Sequence, residues 1–143
     1  MIYVAVTGGR IDSNSTLAFK VLGHFRDTWP SPMTLIHGNA KGYDRVSERW
    51  AQRHGILIIS VPIDHLRDGY KDDAPKRRNQ RMLDDYLPDC LIAFPGGAGT
   101  RDMYTRCLKE KIPVYDVVVN GDDFEVYLIR SDTTTKKVFA GSL

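Results

Sequence analysis

Short apolar runs alternate with amphipathic stretches along most of the chain. Ile2 to Val6 is apolar and β-branched, which predicts a buried strand, and it runs into Thr7-Gly8-Gly9-Arg10. Asp12, Ser13, Asn14 and Ser15 follow, and each suits a helix N-cap. Leu17, Val21, Phe25 and Trp29 then recur every four residues, with Ala18 and Leu22 beside them. That spacing predicts one apolar helical face, stopped by Pro30-Ser31-Pro32. Met33 to Ile36 predicts a second strand, ending in His37-Gly38-Asn39-Ala40-Lys41-Gly42. A helix is expected from Tyr43 to His54, with Val46 and Trp50 inward and Gly55 as its breaker. Ile56 to Val61 is apolar throughout, as a buried parallel strand should be.

Pro62 to Asp73 is a polar loop, and a basic helix is expected from Pro75 to Tyr86. Cys90 to Phe94 is a fourth apolar run, leading into Pro95-Gly96-Gly97-Ala98-Gly99-Thr100. The next helix sets Met103, Tyr104, Cys107 and Leu108 on one side, and Pro113 to Val118 reads as a fifth strand. Beyond it, Asn120-Gly121 is a turn signal, with strands expected at Phe124 to Ile129 and at Lys137 to Ala140. Strands separated by helices predict an α/β fold: a Rossmann-like, doubly wound parallel sheet of about five strands with helices on both faces. Residues 1–118 would form this domain and 119–143 a short C-terminal β extension, expected as a hairpin packed on it.

Composition narrows the class. The 143 residues make one domain's worth of chain, and 42% hydrophobic with 27% charged residues is ordinary for a globular protein. A net charge of +2 is too mild to declare a nucleic-acid or membrane protein. Two cysteines cannot build a disulfide framework, and no apolar run or basic-apolar leader suggests a membrane span or export, so a cytoplasmic protein is expected. The charge is expected to be uneven, with Arg10 and Arg78 at one sheet edge and Asp72, Asp73, Asp84 and Asp85 offsetting them elsewhere.

In doubly wound sheets ligands sit beyond the carboxyl ends of the strands. Three strand-to-helix junctions there carry glycines: Gly8-Gly9, Gly38 with Gly42, and Gly96-Gly97 with Gly99. Glycine lets the backbone approach a ligand, and free N–H groups at the helix starts favour an anion. None of the loops has Gly-Lys-Ser/Thr or the G-x-G-x-x-G order, so neither a P-loop nor a standard dinucleotide loop is present. Thr100 can cap its helix or reach a phosphate. Lys76, Arg77, Arg78 and Arg81 form a basic cluster, with Lys76 and Arg77 read as a solvated face. Arg78 lies four residues before Met82, so if Met82 packs on the sheet, Arg78 also points inward, where its guanidinium can fork onto a phosphate beside Asn79. Asp102 reads either as a dipole or ion-pair partner of Arg106 or as a functional carboxylate, and Asp44 has the same ambiguity. Of the scattered histidines only His37, beside Gly38, belongs to the expected site. His24 and His54 read as ordinary helix-surface residues, and no metal-ligand spacing exists, so no metal site is expected.

These residues resemble the SLOG superfamily, the Rossmann-like group that includes the LOG phosphoribohydrolases and the DprA fold. The YspA/YpsA-related branch is the most similar. The resemblance rests on Thr7-Gly8-Gly9-Arg10 with Asp12, on His37 through Asp44 with Trp50-Ala51, on Arg78-Asn79 with Met82-Leu83, and on Phe94 through Met103. It implies a pocket for a nucleotide or a nucleotide derivative of the AMP, NAD or ADP-ribose kind, with no required cofactor. The implied ligand-binding set is Thr7, Gly8, Gly9, Arg10, His37, Gly38, Ala40, Gly42, Asp44, Arg78, Asn79, Met82, Pro95, Gly96, Gly97, Gly99, Thr100 and Asp102. LOG enzymes use an arginine four residues before a methionine, matched by Arg78 and Met82, and a glutamate where this chain has Met103. Asp102 is adjacent, but one residue turns a helical side chain by about 100°. The loop from Asp64 to Asp73 departs from the branch and is expected to set ligand choice.

Three functions follow as expectations. The first is a sensor or sequestering module for a nucleotide-derived ligand. The alternative is a nucleotide N-glycosidase of LOG type with Arg78 and Asp102 as catalytic candidates. The third is DprA-like nucleic-acid binding through the basic cluster, which the near-neutral charge disfavours. A homo-oligomer is expected, since LOG-like relatives self-associate.

Overall fold

The computed structural model describes residues 1–143. Strand β1 (Ile2–Thr7) leads to helix α1 (Ser15–Thr28), and β2 (Met33–His37) leads to α2 (Tyr43–Arg53). Strand β3 (Leu57–Ser60) is followed by the short α3 (His65–Asp68) and by α4 (Ala74–Tyr86). Then come β4 (Cys90–Ala93), α5 (Ala98–Lys109), β5 (Val114–Asn120), β6 (Asp123–Ile129) and β7 (Thr135–Ser142). One sheet contains all the strands, in the order β3-β2-β1-β4-β5-β6-β7. The first five of that order are parallel, while β6 and β7 pair antiparallel beyond β5.

The sheet therefore has seven strands rather than about five, because the C-terminal hairpin continues the sheet edge. The boundary expected at residue 118 falls inside β5. The connection from β3 to β4 carries the chain from one edge back across β2 and β1, so strand order reverses between β1 and β4. A crevice opens at such a point because the flanking helices leave in opposite directions.

Alternation along the strands fills two cores. Val4, Val6, Leu35 and Ile92 pack under α1 and α2 with Leu17, Phe25 and Trp50. Ala5, Ile36, Leu91 and Val114 face α4 and α5 with Met82, Leu83 and Met103. Asn14, one of four capping candidates, is the cap of α1 and accepts from the Leu17 N–H at 3.0 Å. Strand β3 is an edge strand, so Leu57 is 64% exposed and the run is only half covered, contrary to the buried strand its composition suggests. His24 is a packing residue rather than an ordinary surface one: its ring stacks on Phe139 of β7 at 3.6 Å.

Cys90 and Cys107 are both buried, and burial pushes each thiol up to about 12. Neither should form thiolate at pH 8, so a disulfide-type thiol reagent should titrate no cysteine in the native protein and both after denaturation. Rapid native labelling would contradict this packing.

Candidate functional site

A cleft of about 940 Å³ lies beyond the carboxyl ends of β1, β2 and β4, at the switch in strand order. The three glycine loops meet in its wall. The Gly9 N–H donates to the Pro95 carbonyl at 2.8 Å, and the Tyr43 N–H donates to the Gly9 carbonyl at 3.2 Å. One glycine is required by these approaches, and a second leaves room for Arg78. Gly42 has φ +79, and a Cβ there would stand 2.1 Å from the Gly9 carbonyl oxygen. A Cβ on Gly38 would stand 2.7 Å from the Arg78 guanidinium carbon.

Helices α2, α4 and α5 begin at this wall, and none has a side-chain cap on its first N–H groups. By contrast, α1 and α3 are capped by Asn14 and Asp64. Gly99 and Thr100, in the first turn of α5, line the cleft with N–H groups that have no partner within the helix. This is the geometry in which helix N-termini hold anions.

The β2–α2 loop departs from that expectation. The N–H groups of Gly38 and Ala40 donate to the Asp44 carboxylate at 3.1 and 3.2 Å, and that of Asn39 donates to His37 Nδ1 at 2.9 Å. These three amides are therefore used inside the protein. Burial raises the Asp44 carboxyl, opposed by the Ala40 N–H, by His37, by Arg78 and by the Gly38 N–H.

Arg78 is buried, as its spacing from Met82 predicts, and both line the cleft. Its Nη1 donates to the Gly38 carbonyl and to the Val61 carbonyl at 3.4 Å, and its Nε donates to Asn79 Oδ1 at 3.3 Å. Nη2 has no partner within the chain. Burial lowers its pKa, opposed by the charges of Asp44 and Asp68, but from a value so high that the guanidinium stays charged.

Of the expected binding residues, Thr7, Gly8, Gly9, Arg10, Gly38, Ala40, Asp44, Arg78, Asn79, Met82, Pro95, Gly96, Gly97, Gly99 and Thr100 line the cleft. His37, Gly42 and Asp102 do not. His37 is sealed behind the loop, 0% exposed, with Nε2 at 3.2 Å from Glu48. Gly42 acts through its fit against the first loop. Asp102 accepts from Arg106 at 2.8 Å and from Asn79 at 3.1 Å, tying α5 to α4, which is the ion-pair reading of that residue. Met103, where LOG enzymes carry a carboxylate, is 1% exposed and lines the cleft.

The wall also holds residues outside the expected set, among them Asn39, Tyr43, Ile63, Asp72 and Lys76. Asp72 therefore faces the site rather than offsetting its charge from elsewhere. Lys76, expected on a solvated helix face, is in that wall as well. It is exposed, yet it reaches the cleft because side chains tilt toward a helix's N-terminus, so a first turn aimed at a cavity shows most of its side chains there.

The remaining basic residues of α4 are committed to acids. Arg77 pairs with Asp73 at 2.9 Å on the surface. Arg81 grips Asp68 with two bonds of 2.9 and 2.8 Å and donates to the Pro62 carbonyl. Asp68 is 1% exposed, and the Arg81 hydrogen bonds hold its carboxyl below the usual range. Breaking a buried pair leaves an uncompensated group, so Arg81→Met should cost about 3 kcal/mol in urea denaturation. The depressed folded value means this stability is present above about pH 4 and is lost as pH falls through the folded value. The variant should lack that acid-side loss, and an unchanged pH profile would contradict the pair's role.

A family model for the YspA, cpYpsA-related SLOG family matches residues 2–67. The Gene 61 protein of Mycobacterium phage D29 is 30% identical over 118 residues, spanning 78% of this chain and 92% of the phage protein. Among solved structures, UDP-GlcNAc 2-epimerase from Neisseria meningitidis, bound to UDP-GlcNAc, aligns with a TM-score of 0.52 at 14% identity. The alignment covers 82% of this chain and 32% of the epimerase, so the chain spans about a third of that protein's length, and the likeness is one of fold. No helix is long and apolar enough to cross a membrane.

Proposed function

Because the chain belongs to the YspA, cpYpsA-related SLOG family, we propose that its cleft binds a nucleotide-derived ligand and that the protein is a sensor or sequestering module rather than a LOG-type hydrolase. The observation that carries this reading is the cleft itself. An uncapped α5 N-terminus and a buried Arg78 with a free Nη2 share a wall with Met82 and Met103, which suits a phosphate joined to an apolar body. A volume near 940 Å³ is ample for a mononucleotide and accommodates ligands of the NAD or ADP-ribose kind.

The cleavage reading is weaker for two geometric reasons. LOG-type hydrolysis needs a carboxylate at the sugar, and Met103 stands in that place. Asp102 is engaged by Arg106 and Asn79 and is not in the cleft wall. Nucleic-acid binding is disfavoured because Arg77 and Arg81 are paired with acids, which dissolves the apparent basic patch.

Thermal unfolding with AMP, NAD, ADP-ribose and cyclic ADP-ribose tests the reading. A ligand at a hundred times its Kd stabilises the native state by about 2.7 kcal/mol, which shifts the melting temperature by several degrees. The same melt for every compound at millimolar concentration would overturn it.

A further inference from the structure

The β2–α2 loop is held in an unusual way. Its three consecutive N–H groups, from Gly38 to Ala40, point to side chains of the protein and not to the cleft. A phosphate at this stretch would find none of these three amides free, so what Gly38 to Ala40 contribute to recognition comes from a side chain. Asn39 stands out. Its φ is 58, in the left-handed region, and it lines the cleft. No hydrogen bond within the chain uses its carboxamide, which carries both donors and an acceptor. Asparagine tolerates this backbone state better than most residues, but the conformation still needs to be held.

His37 holds it. A backbone N–H can only donate, so His37 Nδ1, 2.9 Å from the Asn39 nitrogen, must present its lone pair. The ring proton is then on Nε2, which donates to Glu48 Oε1 at 3.2 Å. Glu48 thus selects the tautomer that keeps Nδ1 free to accept, and the ring's full burial fixes its orientation.

We propose that His37 is a positioning residue whose Nε2–H tautomer sets Asn39 on the cleft wall, and that Asn39 is the specificity-determining residue, reading an uncharged donor-and-acceptor edge of the ligand such as the amino and ring-nitrogen edge of adenine. The α5 loop takes the anion, and the β2–α2 loop reads the base. This division of labour rests on the nucleotide reading of the cleft for its ligand, whereas the role of His37 stands on the protein alone.

Two measurements on the full chain test it. In the ligand-free protein, ring-nitrogen NMR should show His37 with Nε2 protonated and Nδ1 not, and the Asn39 amide should exchange slowly. In His37→Phe the Asn39 amide should lose protection while Gly38 and Ala40, held by Asp44, keep theirs. An Nδ1–H ring, or uniform loss of protection across the loop, overturns the positioning role.

Calorimetric titration then compares AMP with ribose 5-phosphate, which lacks the base. The wild type should prefer AMP, and Asn39→Gly, which keeps the left-handed backbone, should reduce that preference about tenfold. His37→Phe should reduce it in the same direction. A preference unchanged in Asn39→Gly overturns the specificity role. Failure of the wild type to bind either probe overturns the role of Asn39, while the ring tautomer still decides the role of His37 and the melts with NAD and the ADP-ribose forms decide the cleft reading.

Discussion

Replacing Arg78 by methionine is expected to weaken nucleotide binding at least about a hundredfold and to cost about 2 kcal/mol of folding stability. Arg78 is a buried cation that links three segments: the Gly38 carbonyl, the Val61 carbonyl and Asn79. Methionine keeps much of the volume but leaves those acceptors without their donor. It also removes a positive charge that opposes the desolvation of Asp44. The folded value of Asp44 is already raised, so its ionisation disfavours the fold, and stability is lost as pH rises through that value. The cost of Arg78→Met should therefore be smaller in mild acid than at neutral pH. Arg78→Lys retains the charge without the fork, so it should recover part of the stability and little of the binding. A methionine variant that binds as the wild type does would remove Arg78 from the site.

Truncation after Gly121 should abolish the stable fold. Phe124 and Val126 of β6 belong to the core cluster under α1, and Phe139 and Leu143 pack against it. Phe139 lies edge-on to Phe25 at 5.3 Å, and Lys20 of α1 donates to the Ser142 carbonyl. Removing the hairpin withdraws two fully buried apolar side chains and uncovers Phe25, Tyr115 and Val117. At about 1.5–3 kcal/mol for each buried side chain, the loss approaches the 5–15 kcal/mol that stabilises a typical domain. The truncated chain should lack a cooperative urea transition, and Phe139→Ala in the full chain should lower the unfolding free energy by about 2 kcal/mol. A soluble, cooperatively folding 1–121 fragment would show that the hairpin is dispensable.

Much of this was legible in the residues, and the parts that were not have a common cause. The strands at Ile2, Met33 and Cys90 and the glycine loops after them are local patterns, and the structure places them as expected. The inward turn of Arg78 followed from helical phase with Met82. What sequence could not fix was where a strand lies in the sheet. Ile56 to Val61 is apolar enough for the interior, yet β3 is an edge, and the hairpin joins the sheet because β5 offers it a free edge. Partnership was equally hidden. For Asp102 the spacing shows Arg106, one turn on, as a partner, but Asn79 comes from another helix and only the fold brings it there. His37 sits beside the right glycine but faces the protein interior, because Glu48 and the Asn39 amide occupy both ring nitrogens. The Gly38 and Ala40 amides are lost to an anion for the same reason, because Asp44, the last residue of the motif that begins at His37, folds back to accept from them.

Isothermal titration of the wild-type protein with AMP, NAD and ADP-ribose, with free base measured in the same samples, tests the central claim most directly. The account predicts saturable one-to-one binding of at least one of these compounds, loss of that binding in Arg78→Met, and no free base after prolonged incubation. Turnover of a bound nucleotide to free base, or no heat from any of the compounds at millimolar concentration, would contradict it.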